Sequence, residues 1–124
     1  MNGIDYLLDT NAIIYLLSGN SCMEDYLSSH FALSIISKME VLSLNSISIK
    51  EEDLIYLFLD ECKVINLNNS IVETTIILRK NYKIKLPDAI VAATSICSDL
   101  PLITADKGFS KIEELKLELI TPCI

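Results

Sequence analysis

The sequence predicts an α/β fold: a three-layer α/β/α domain whose central, mostly parallel sheet has about five strands. Three observations carry this. Short β-rich runs alternate with helical patterns along the whole 124-residue chain, the order that builds parallel βαβ units. The strand runs are apolar with few polar alternates, as expected of strands covered on both faces. No repeat, low-complexity tract or linker interrupts the alternation, and the length suits one domain spanning 1–124.

The elements follow in order. Ile4–Leu8 reads as a strand and Thr10–Leu17 as a helix stopped by Ser18-Gly19-Asn20. A short helix near Met23–Ser29 leads to the strand Phe31–Ile35. Ser37–Leu44 is helical, as is Glu51–Cys62, where Leu54, Ile55, Phe58 and Leu59 form one apolar stripe. Val64–Leu67 is a third strand and Ile71–Tyr82 a long helix. Pro87 opens a helix running to about Cys97, rich in Ala89, Ala92 and Ala93. Pro101–Thr104 is a strand, Phe109–Leu115 a short helix and Leu117–Ile120 the last strand.

Composition narrows the function classes. A 51% hydrophobic content and a mean hydropathy of +0.42 describe a chain with a real core rather than a disordered one. Apolar runs such as Leu54 to Leu59 fall far short of the roughly 20 residues that span a bilayer. No Lys or Arg precedes Lys38, so the apolar N-terminus reads as a buried strand and helix rather than a signal peptide. Cys22, Cys62, Cys97 and Cys123 are widely spaced with no C-x-x-C pair. They read as buried, reduced thiols of a cytoplasmic protein. The single histidine, His30, excludes a multi-histidine metal site and reads as a loop residue.

A formal charge of −7 argues against a nucleic-acid partner in general. Yet four acids, Asp9, Glu40, Asp88 and Asp106, recur at predicted strand ends or in early turns of apolar helices, and setting them aside leaves −3. Basic residues cluster locally at Arg79, Lys80, Lys83 and Lys85, just before Asp88, with Lys107 beside Asp106. That cluster is either a solvated helix end, where cations suit the dipole, or a surface for phosphate.

Each acid has a structural alternative. Ser37-Lys38-Met39-Glu40 has capping-box spacing, repeated at Ser48/Glu51, Ser70/Glu73 and Ser110/Glu113. Asp88 follows Pro87 in a helical first turn, where an acid complements the dipole. Asp106 lies in a plausible turn, Ala105-Asp106-Lys107-Gly108. Asp9 has the weakest alternative, because it ends a buried strand. The predicted architecture brings acids at strand ends to one sheet edge, the edge where α/β domains carry chemistry. Carboxylates gathered there repel unless a cation joins them. Oxygen donors without His or Cys suit Mg2+ or Mn2+, ions that activate water and neutralise phosphodiester cleavage. Thr10, Asn11 and Thr104 stand beside the acids as supporting donors and acceptors.

Four segments match a known pattern: Leu7-Leu8-Asp9-Thr10-Asn11, Ile36-Ser37-Lys38-Met39-Glu40-Val41-Leu42, Leu86-Pro87-Asp88-Ala89-Ile90-Val91-Ala92-Ala93, and Leu102-Ile103-Thr104-Ala105-Asp106-Lys107-Gly108-Phe109. In this order the chain resembles a PIN-domain ribonuclease, in particular the VapC-like toxins of type II toxin–antitoxin pairs. The resemblance implies a Mg2+- or Mn2+-dependent endoribonuclease with Asp9, Glu40, Asp88 and Asp106 as an acidic quartet and Thr104 as its hydroxyl. It implies Asp9 and Asp88 as the firmest metal ligands, and Glu40 acting through water or a second metal. It also implies an RNA substrate, a homodimer and a small antitoxin whose tail covers the site. The sequence departs from a strongly basic RNA binder, with one Arg and nine Lys.

Three alternatives compete with this reading. A haloacid-dehalogenase-like phosphatase wants an Asp where Asn11 stands, and a receiver domain wants an Asp ending the third strand, where Val64-Ile65-Asn66-Leu67 has none. A catalytically inert PIN-like scaffold that binds RNA or protein is the third, and the intact quartet argues against it.

Overall fold

A computed structural model describes residues 3–45 and 47–124. Five strands form one sheet in the order β3-β2-β1-β4-β5, and every neighbouring pair is parallel. They are β1 (Tyr6–Leu8), β2 (Phe31–Ser34), β3 (Lys63–Ile65), β4 (Leu102–Thr104) and β5 (Leu117–Leu119). The expectation of a mostly parallel sheet of about five strands is met, with the sheet wholly parallel.

Side-chain alternation along the strands divides the core into two layers. Leu7, Ala32 and Leu102 pack with α4 (Asn69–Asn81) and α5 (Leu86–Ser98). Leu8, Phe31, Leu33 and Ile103 pack on the other face with α1 (Thr10–Leu17), α2 (Ile35–Leu42) and α3 (Ile49–Glu61). The small residues Ala89, Ala92 and Ala93 of α5 are fully buried, which lets that helix sit close to the sheet. The chain extends the sheet from β1 to β2 and β3 on one side, and reaches β4 and β5 on the other. The strand order therefore reverses between β1 and β4, and the crevice beyond their carboxyl ends is the place such sheets form sites.

Several boundaries differ from the sequence reading, each for a local reason. Pairing of the first strand starts at Tyr6 rather than Ile4. Asp5 there is held by its N–H to the His30 carbonyl at 2.8 Å and by its carboxylate to the His30 N–H at 2.8 Å. The expected short helices at Met23–Ser29 and Phe109–Leu115 are 3-10 helices at Ser21–Tyr26 and Lys107–Lys111. Helix α5 begins at Leu86, with Pro87 and Asp88 as its next residues, and ends at Asp99 with φ +52°.

The capping expectation at Ser37 is overturned. Ser34 already has an extended backbone, and its Oγ accepts the Ile36 N–H at 3.1 Å, so α2 starts at Ile35. Ser37 then lies inside the helix, fully buried, and Glu40 is released from any cap. At Ser48/Glu51 the expected box does form, with Glu51 N–H donating to Ser48 Oγ at 3.1 Å and Ser48 N–H to Glu51 Oε1 at 3.3 Å. Helix α4 is capped by Asn68 instead of Ser70. Ser110 lies within a 3-10 helix and caps nothing. Ser48→Ala is expected to destabilise the domain by about 1 kcal/mol, read from the urea midpoint with an unchanged slope.

The cysteines also differ from expectation. Cys22 and Cys62 are partly buried, whereas Cys97 and Cys123 are exposed, and all four are free thiols. No helix among the described residues is long and apolar enough to cross a membrane.

Candidate active site

Asp9 leaves β1 and caps α1, its Oδ1 accepting the Thr10 N–H at 2.9 Å. It is 7% exposed, so both of its oxygens need partners. The second, Oδ2, accepts the Thr104 hydroxyl at 2.7 Å and the Asn11 side-chain amide at 3.3 Å. Thr104 ends β4, the strand beside β1, and is fully buried. Its hydroxyl is saturated: it donates to Asp9 and accepts from Asn11 Nδ2 at 3.2 Å and from the Asp106 N–H at 3.0 Å. Asn11 completes the tie by accepting the Ala105 N–H at 2.9 Å. Two strand ends on either side of the topological reversal are thus locked by one hydroxyl and one amide.

The other acids join this framework from three directions. Glu40 reaches from α2, and its Oε1 accepts the Thr10 hydroxyl at 2.7 Å. Asp106 caps the second 3-10 helix through Gly108 N–H at 2.8 Å, so its turn role is real and coexists with its place at the site. Asp88 sits half-buried in the first turn of α5 and makes no side-chain hydrogen bond among the described residues. Pro87 ahead of it gives the helix a fixed start.

The electrostatics show that the four acids are neighbours. Burial pushes the Asp9 carboxyl above its ordinary range, the Thr104 and Thr10 hydrogen bonds oppose this, and the charges of Asp88 and Glu40 push it further up. Burial likewise raises Asp88, with Asp106 and Glu40 adding to the rise, while Lys85 and Lys111 hold it down. Oxygen-only donors, two of them raised by burial and by neighbouring carboxylates, fit a hard divalent cation. Among the described residues no three acidic, thiol or imidazole side chains converge as a closed ligand cage. Asp88 and Asp106 line a pocket at this edge, while Asp9 and Glu40 lie outside its lining.

That pocket, of about 230 Å3, is lined by Lys83, Ile84, Lys85, Asp88, Asp106, Gly108 and Phe109. Lys83 and Lys85, two of the basic residues picked out from sequence, are therefore at the site. Lys107 is exposed on the adjoining 3-10 helix but does not line the pocket, and Arg79 and Lys80 lie in the last turn of α4, outside it. Lys111 was missed. Its ammonium donates to the Lys83 carbonyl, tying the second 3-10 helix to the loop before α5. Nothing in the local sequence signals this, because it depends on how that helix folds back.

A PIN-domain family model matches residues 6–115. The chain belongs to the PIN-domain family. A chain of a toxin–antitoxin complex from Klebsiella pneumoniae is 35% identical, with a TM-score of 0.78 over 90% of this chain and 95% of that one. VapBC2 from Rickettsia felis, bound to a DNA fragment from its promoter, gives 21% identity and a TM-score of 0.81, covering 95% of this chain and 100% of that one. VapBC-1 from nontypeable Haemophilus influenzae gives 23% and 0.75, covering 94% and 98%. At these lower identities the likeness is one of fold. No match was found among curated sequences. The 35% identical likeness is thus to a chain of a toxin–antitoxin complex, on a PIN-domain fold.

Proposed function

We propose that this VapC-like PIN domain is a Mg2+- or Mn2+-dependent endoribonuclease, the toxin of a cytoplasmic toxin–antitoxin pair, with Asp9, Glu40, Asp88 and Asp106 as its working acids. The observation that carries this reading is the gathering of acids at the β1/β4 crevice, where burial raises the Asp9 and Asp88 carboxyls and the charges of Glu40 and Asp106 add to the rise. A site that keeps such acids together when folded is made for a cation.

Asp9 and Asp88 are the ligands we assign first, being the two acids whose burial most favours a compensating charge. A bound Mg2+ or Mn2+ would supply charge neutralisation at the phosphodiester and a more acidic attacking water. Thr104 and Asn11 fix the direction of the Asp9 carboxylate. Glu40 uses Oε1 on the Thr10 hydroxyl, which leaves Oε2 to orient the attacking water and take its proton. Asp106 closes the site from the β4 side, and Lys83 and Lys85 offer ammonium groups to the phosphates of the RNA strand at the pocket rim.

Protein partners are supported by apolar surface. Exposed Ile14, Leu17, Leu44 and Leu54 line a groove between α1, α2 and α3, the kind of surface an antitoxin segment or a second copy of the chain covers. The deciding experiment is cleavage of total RNA with mapped 5′ ends. Discrete cuts are expected with Mg2+ or Mn2+ and none with EDTA, and expression should arrest growth in a way that Asp106→Asn relieves. Equal cleavage by wild type and Asp106→Asn, free of contaminating nuclease, would overturn the assignment.

A further inference from the structure

Beyond the end of α1 away from Asp9, two thiols far apart in sequence are brought to one corner. Asn20 caps the first 3-10 helix, and its Oδ1 accepts two backbone amides, those of Cys22 at 3.1 Å and Cys123 at 3.1 Å. The two nitrogens share one acceptor, so they lie no further apart than about 6.2 Å, twice that distance. Asn20 Nδ2 also donates to the Cys123 carbonyl at 2.9 Å. One side chain thus grips both faces of the Cys123 backbone and one face of Cys22. Ser21 Oγ lies 2.8 Å from the Cys123 sulfur, which turns that sulfur inward toward the 3-10 helix. The Cys22 thiol is pushed up by its burial and then by the Cys123 sulfur.

The platform beneath them is firm. Met23 is buried in the core, and the Tyr26 ring meets the Tyr6 ring edge-on at a centroid distance of 5.1 Å. Amide nitrogens this close bring the two backbones within reach of a disulfide, whose α-carbons lie roughly 4.4–6.8 Å apart. Cys62, partly buried elsewhere in the same layer, and exposed Cys97, near Thr74, have no such partner among the described residues.

We propose that Cys22 and Cys123 form a reversible disulfide that staples the 121–123 segment to the first 3-10 helix under oxidising conditions. The chemistry is thiol–disulfide exchange with a low-molecular-weight disulfide such as oxidised glutathione. The exposed Cys123 thiolate attacks the small disulfide, forming a mixed disulfide and releasing one thiolate. The Cys22 thiolate then attacks the Cys123 sulfur and releases the second. Two protein thiols lose two electrons and two protons, and the small disulfide becomes two thiols. The exposed sulfur enters and the sheltered one resolves, which suits their burial. The crosslink closes the long loop from Cys22 to Cys123 and so restrains the unfolded state.

The test uses the whole chain, as wild type, as the Cys62→Ser/Cys97→Ser variant, and as that variant carrying Cys123→Ser. Cys123 is exposed, so its replacement leaves the fold intact. After exposure to oxidised glutathione, digestion should yield a Cys22–Cys123 crosslinked peptide, two hydrogens lighter than its halves, in the first two proteins only. Their melting temperature should rise by several degrees and return on reduction, with no change in the Cys123→Ser protein. The proposal is overturned by separate glutathione adducts on the two cysteines, by crosslinks to Cys62, Cys97 or a second chain, or by equal melting shifts in all three proteins.

Discussion

Asp9→Asn is expected to remove metal-dependent RNA cleavage while the chain stays folded. Loss of a residue that merely supports a metal ligand costs roughly 10–100-fold, so loss of a first ligand should cost about 100-fold or more. Two readouts separate this from simple damage. Mg2+ or Mn2+ should raise the melting temperature of the wild type by mass action and should leave the variant unmoved. The pH dependence of stability should change too, and its sign follows from the raised carboxyl. Asp9 has an ordinary value of 3.8 and is pushed above it in the folded chain, first by burial. Without metal, the folded state then binds the proton more tightly than the unfolded state. Stability is therefore lost as pH rises from about the ordinary value through the raised one, and acid relieves the strain. In Asp9→Asn that loss should be smaller, leaving the part due to Asp88. An unaltered pH profile and full cleavage would remove Asp9 from the site.

Thr104→Val should harm both the site and the fold, although the two side chains are nearly the same shape. The valine keeps the packing of a fully buried position but removes one donor and two acceptor functions. Asp9 Oδ2 loses its 2.7 Å donor, and the Asp106 N–H and the Asn11 amide lose their acceptor. Leaving such groups unpaired costs about 1–3 kcal/mol. The urea midpoint should fall by a corresponding amount, and cleavage by roughly 10–100-fold, because the Asp9 carboxylate is no longer aimed. Thr104→Ser keeps the hydroxyl and should restore most of both. If serine and valine behave alike, the hydroxyl is not what matters.

The sequence made the architecture and the acids legible because both rest on strong local contrast. An apolar run broken by a carboxylate, as at Leu8-Asp9, marks where a buried strand meets an edge, and the alternation of elements supplies the parallel order. Thr10, Asn11 and Thr104 were legible as supports by their adjacency to acids, and the structure brings them together in one hydrogen-bond net. Capping was less legible. Ser34 and Ser37 both precede a helical pattern, and only the backbone angles at the end of β2 decide that Ser34 is the cap. Lys111 was invisible for a different reason. Its contact with the Lys83 carbonyl links residues 28 apart through a 3-10 helix, and no periodicity reports such a fold-back. The corner of Cys22 and Cys123 was hidden likewise, since widely spaced cysteines carry no pairing signal.

The tie between Asn11 and the loop after β4 has a consequence for the order in which the protein comes into being. Asn11 and Ala105 are 94 positions apart, and Thr104 and Asp9 are 95 apart. During synthesis the first strand, its capping helix and Glu40 emerge well before Thr104, the hydroxyl that donates to Asp9 Oδ2. A nascent chain therefore carries its first acid held only by its neighbours Thr10 and Asn11 until β4 docks beside β1. Non-local pairing of this kind is slow relative to helix formation. For a protein read as a nuclease toxin, the site is therefore completed only after β4 has been made and has docked beside β1.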